Sequence, residues 1–120
     1  MSDRSQIETT VLQFFEALNT DDASGVALSE YVEYTGMLTP EPVRGEIDVR
    51  EHLHQIAPFM RNVSHGKMII EDGRCAVLSE FDGVNNVHTK GAFFLEMEEG
   101  RISKMTAVFD TRPLMSGGGS

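Results

Sequence analysis

Ala92–Asp110 reads AFFLEMEEGRISKMTAVFD, and the fold turns on how this stretch is paired. Two apolar runs flank Glu98-Glu99-Gly100, where glycine supplies the positive φ of a tight hairpin turn. In the second run, strand alternation sets Met105, Ala107 and Phe109 on one face and Ile102, Thr106 and Val108 on the other. A strand apolar on one face lies on a core and leaves its other face to water; this one needs two covers. The expectation is a curved sheet with one side packed on helices and the other on a second copy of the chain.

Working outward, three more runs have strand character: Val63–Glu71, Arg74–Asp82 and Val87–Glu98. Glu71-Asp72-Gly73 and Gly83-Val84-Asn85-Asn86 separate them, and such short turns imply antiparallel neighbours. Before this meander, Ile7, Val11, Phe14, Phe15 and Leu18 recur at helical spacing, predicting an amphipathic helix over about residues 4–19. Asp21 or Asp22 is placed to cap a short second helix through Leu28. Tyr31–Thr35 reads as a short strand, and Pro40 and Pro42 make Gly36–Gly45 a loop. Glu46–Phe59 returns to helical spacing with Ile47, Leu53 and Ile56 on one side, and Glu46 and Asp48 complement the helix dipole. Helices first and strands last give an α+β layout with a strongly bent, mostly antiparallel sheet around N-terminal helices.

Composition narrows the function classes. One domain over residues 1–115 is expected from a chain of 120 residues; the tail Ser116-Gly117-Gly118-Gly119-Ser120 reads as a flexible linker or expression scar. The net charge of −9, from 10 basic and 19 acidic residues, argues against nucleic acid or an anionic membrane as partner. No run has the length of a membrane span, and the first residues lack a signal-peptide pattern. Cys75 is the single cysteine, which suits a reducing cytoplasm and reads as a small buried hydrophobe. There is no phosphate-binding glycine loop, nucleophile elbow or CxxC, so no cofactor is expected. His52 and His54 are two apart and diverge on a helix, and His65 and His88 lack a ligand pattern beside them, so no metal is expected.

The segments FFEALNTDDASGVALSEYVEYTG (14–36), RGEIDVREHL (44–53) and EEGRISKMTAVFD (98–110), in that order and spacing, resemble the nuclear-transport-factor-2-like superfamily, especially its SnoaL-like branch. The resemblance covers about residues 6–113. It implies a conical α+β barrel with a deep pocket for a small hydrophobic ligand, and a homodimer through the outer sheet face. It leaves the activity open, because the fold hosts isomerases, cyclases, epoxide hydrolases and binding modules. Limonene-epoxide-hydrolase-like members carry Tyr and Asn on the first strand, Arg-x-Asp in the meander and Asp on the last strand. Here Tyr34 and Asp82 match, whereas Gly36, Glu80 and Ala107 depart. The ketosteroid-isomerase-like acids are missing at Tyr34 and near Ala92 or Phe93, and the SnoaL-type base is missing near Ala107.

The candidate chemistry therefore rests on residues expected to enter the cone. If Ala76 and Leu78 face it, so do Glu80 and Asp82. Two carboxylates at i, i+2 can share a proton and act as an acid/base pair, with Asp82 as base and Glu80 as partner or acid. A solvated rim is the plainer alternative. Tyr34 is a candidate for orienting water or holding an oxyanion, against the alternative of a core-edge residue with a wet hydroxyl. Phe15, Leu78, His88, Met105, Ala107 and Phe109 are the expected pocket lining. Against this enzyme reading stands a non-catalytic ligand-binding or dimerisation module.

Overall fold

In the computed structural model, which describes residues 4–36, 41–83 and 87–109, the spacing of Ile7, Val11, Phe14, Phe15 and Leu18 is realised as helix α1, Arg4–Thr20. All five side chains are at most 3% exposed, so the apolar stripe is spent on the sheet. Asn19 fastens the end of α1 to the sheet. Its side chain donates to the Val63 carbonyl and accepts from the Val63 N–H, both at 2.8 Å, so it stands in for a strand neighbour.

The predicted short helix through Leu28 is corrected to one 3₁₀ turn, Ala23–Gly25, capped by Asp22, whose carboxylate accepts from the Ser24 N–H and hydroxyl. Strand β1 then runs Leu28–Thr35, three residues earlier than expected. Within the Pro-containing loop, Val43–Arg44 forms a two-residue strand, β2, against Glu33 and Tyr34. Residues 37–40 lie outside the described part.

Helix α2 is Glu46–Ile56, followed by a 3₁₀ turn at Ala57–Phe59, where Pro58 withholds the N–H a longer helix needs. Val49 and Leu53 are its buried residues. Ile47, expected beside Leu53, is 81% exposed, because it falls on the solvent side of the first turn.

The meander is β3 (Arg61–Glu71), β4 (Arg74–Asp82), β5 (His88–Glu98) and β6 (Arg101–Phe109). The sheet order is β2-β1-β6-β5-β4-β3, with β1 parallel to β6 and the other pairs antiparallel. Two hairpins turn on two residues each, Asp72-Gly73 (φ 47°, 77°) and Glu99-Gly100 (φ 50°, 78°), the left-handed pairs that match strand twist. The 116–120 tail and Asp110 lie outside the described residues, as does the 84–86 part of the third turn.

One expectation about β6 is corrected. Ile102 is fully buried on the helix-facing side rather than opposite Met105. Lys104 pairs with Glu96 and Ile102 with Met97, so Ser103 is an extra residue that reverses the alternation, and its hydroxyl donates to the Glu96 carbonyl.

Candidate functional site

Aromatic rings pack on one another on the helix-facing side of the sheet. Phe14, Phe15 and Phe93 meet edge to face at 4.9–5.6 Å, and Phe109 bridges Phe93 to Phe81 at 5.1 Å. Gly91 makes room for the Phe109 ring: a Cβ there would collide with that ring and the Val108 carbonyl oxygen. Phe15, Met105, Ala107 and Phe109, expected to line the interior, are all buried in this cluster.

Tyr34 joins the same core. Its ring is 5% exposed, and burial pushes its hydroxyl up to about 12. Tyr31, three residues earlier, is 85% exposed, as strand alternation requires. His52 of α2 packs on the Tyr34 ring, with centroids 4.6 Å apart, and burial shifts its proton affinity downward. In the sequence His52 stands out only as one of a diverging pair with His54. The available signal was its place beside Leu53 and three residues after Val49, on the buried side of α2. His54 turns away to Asp21, at 2.8 Å.

The expectation that Glu80 and Asp82 point into the cone is corrected. On β4 the buried residues are Cys75, Val77, Ser79 and Phe81, so Ala76, Leu78, Glu80 and Asp82 occupy the outer face. Cys75 is correspondingly inert, its thiol pushed up to about 11 by burial. Leu78 is 58% exposed and His88 is exposed; neither lines the interior.

Glu80 and Asp82 do come together, around His88 of β5. The His88 Nδ1 lies 3.1 Å from Asp82 and Nε2 lies 3.6 Å from Glu80. Asn62 donates to Asp82 at 3.1 Å and Lys90 pairs with Glu80 at 3.5 Å. The hydrogen bonds from Asn62 and then His88 hold the Asp82 carboxyl below its ordinary range, while the bond to Asp82 raises His88. Such a carboxylate stays ionised at neutral pH and is a weak base. Among the described residues no group of three or more His, Cys, Asp and Glu is arranged to hold a metal ion. No helix there is long and apolar enough to cross a membrane.

Beyond this cluster the outer face is apolar at its centre. Strand pairing aligns Ile69, Ala76, Phe94 and Thr106 in one row and Leu78, Ala92 and Val108 in the next. Ile69, Leu78, Phe94 and Val108 are 62%, 58%, 47% and 50% exposed. A separate open cleft of about 1130 Å³ lies where α1 begins beside the two-residue hairpins, lined by Ile7, Tyr31, Met97, Glu98 and Arg101 among others. None of the candidate catalytic or pocket-lining residues lines it.

No protein-family model matches the sequence, and a search of curated proteins finds no match. Solved structures do match. An NTF2-like protein of unknown function from Burkholderia pseudomallei superposes with TM-score 0.76 at 22% identity, covering 96% of each chain. A protein described as a SnoaL-like polyketide cyclase from Jannaschia sp. gives 0.79 at 14% identity, covering 97% of this chain and 96% of that one. A steroid delta-isomerase from Pseudomonas aeruginosa gives 0.76 at 15% identity, covering 89% and 81%. The chain has the NTF2-like α+β cone fold, in the form shared with SnoaL-like proteins.

Proposed function

We propose that this NTF2-like chain is a non-catalytic self-association module whose working surface is the outer face of its sheet. The observation that carries this reading is the exposed apolar band of Ile69, Leu78, Phe94 and Val108. Isolated exposed apolar side chains are ordinary, but a row across four strands beside a row across three forms a contiguous patch of the kind that marks an interface.

Charge favours a second copy as the occupant. The chain carries −9 overall, yet on this face of β4–β6 Arg74, Lys90 and Lys104 balance Glu80, Asp82 and Glu96. It is therefore a surface on which two acidic chains can meet without strong like-charge repulsion. Size agrees as well. Four strands are about 19 Å across and nine residues span about 30 Å, a flat projection of roughly 570 Å². Projecting side chains raise that toward the roughly 800 Å² per partner of a stable interface.

The interior supports the same assignment. Its aromatic rings pack on one another, and the two carboxylates considered for acid/base work lie on the opposite side of the sheet. A second reading, proton transfer on a small apolar molecule as the names of the cyclase and isomerase neighbours suggest, has one observation in its favour. His52, a base whose proton affinity is lowered by burial, packs against the ring of Tyr34.

Light scattering on the wild type and on Phe94→Glu separates the readings. The module reading expects a dimer that becomes a folded monomer in the variant. A wild type that is monomeric, with turnover of an enone or lactone lost in His52→Gln, sinks it in favour of the enzyme.

A further inference from the structure

The border of the apolar band carries a feature that dimerisation alone does not use. His88 has a carboxylate against each of its ring nitrogens, Asp82 at Nδ1 and Glu80 at Nε2. A neutral imidazole has one N–H and one lone pair. Whichever tautomer forms, one carboxylate then faces a lone pair. Only the imidazolium donates to both.

In the exposed monomer this mismatch costs little, because water serves the carboxylate left over. A second copy laid on the band changes that. Glu80 and Lys90 form the next row on the same face beyond Leu78, Ala92 and Val108, and Asp82 and His88 form the row after that, still within the nine-residue width of the face. Excluding water there raises the cost of an unserved carboxylate. The other groups facing the trio are Lys90 on Glu80, Asn62 on Asp82, and Arg61, whose charge also acts on Asp82. Lys90 and Arg61 are cationic side chains. Asn62 does not titrate. Within the trio, His88 is therefore the group whose charge changes near neutral pH.

We infer that His88 makes self-association of this protein pH-sensitive, each protomer taking up a proton on His88 as two outer faces meet. This rests on the face-to-face reading above and adds its regulation. Association strengthens as pH falls toward 6 and weakens as it rises, with the linkage limited to tenfold per pH unit for each proton taken up.

The test is sedimentation equilibrium of the wild type, His88→Gln and His88→Lys at about pH 6 and about pH 8.5, a span that brackets an ordinary histidine. The wild-type Kd is expected to weaken by roughly tenfold or more across that range. His88→Gln should lose most of the difference, and His88→Lys, which keeps its charge, should dimerise similarly at both values. A wild type that dimerises equally at both pH values overturns the switch while leaving the dimer standing. So does a slope that survives in His88→Gln. A wild type monomeric at both overturns the dimer, and the switch with it.

Discussion

Phe93 and Phe94 are adjacent in the chain, on the same strand, with the same side chain. Phe93 is 0% exposed and sits among Phe14, Phe15 and Phe109; Phe94 is 47% exposed in the outer row with Ile69, Ala76 and Thr106. The contrast extends to the two faces of the sheet. The inner face is completed by α1 and α2 of its own chain, and its energy is folding energy. The outer face is as broad, carries apolar and balanced charged rows, and has no cover within the described residues. Under the proposed face-to-face dimer, identical chemistry serves stability on one side of a strand and association on the other.

The most forceful way to break this comparison is to truncate each ring in turn. Phe93→Ala should destabilise the chain by about 3–5 kcal/mol in urea unfolding, since it leaves a cavity within an aromatic cluster. Phe94→Ala should leave the unfolding of dilute, monomeric protein within about 1 kcal/mol of wild type and weaken association instead. Equal losses from both would erase the distinction.

A pH experiment probes the inner face next. Tyr34 ionises at about 12 in the folded chain against an ordinary 10.0. The unfolded state therefore loses its proton first, and stability falls as pH rises through that interval, by roughly 2–3 kcal/mol in total. Tyr34→Phe should flatten that alkaline slope. A slope unchanged in the variant would assign it to other groups.

Gly91→Ala sharpens the boundary between the faces. The added methyl meets the Phe109 ring and the Val108 carbonyl oxygen, so a cost of about 1–3 kcal/mol is expected by thermal unfolding. Full stability in this variant would mean that the ring has room elsewhere.

The smallest effect belongs to the outer carboxylate. The Asp82 carboxyl is held below its ordinary value, so its contribution is complete above the unfolded value and fades as pH falls through the folded one. For His88 the sense reverses: its contribution is complete below the unfolded value and fades as pH rises through the raised folded one. Asp82→Asn should therefore remove a minor acid-side slope in a stability titration and abolish no turnover. Loss of an activity on this substitution would restore Asp82 as a base.

Much of this architecture is legible in the chain. The 3.6-residue recurrence of Ile7, Val11, Phe14 and Leu18 specifies α1, and the glycines at 73 and 100 specify two hairpins. The site is less legible, because alternation tells which residues share a face and leaves open which face is inside. On β4 both faces hold apolar residues, Ala76 and Leu78 against Val77 and Phe81, so pattern alone could place Glu80 and Asp82 on either side. The strand's partners break that tie. Val77 pairs with Phe93 and Leu78 with Ala92, and the inner set is the one that meets α1. Ile102 escapes prediction for a related reason: a bulge at Ser103 is a single-residue event that alternation cannot register. His52 is hidden because a histidine on a buried helical side looks like any polar residue until its neighbour, Tyr34, comes from a distant strand.

The most direct test of the division between faces is the urea midpoint of the wild type and of Phe94→Glu, each followed from about 1 to about 100 µM protein, because only a folded dimer gains stability with concentration. The account predicts a wild-type midpoint that climbs with concentration and a variant midpoint that stays level at the wild type's dilute value. Level midpoints in both proteins would contradict it.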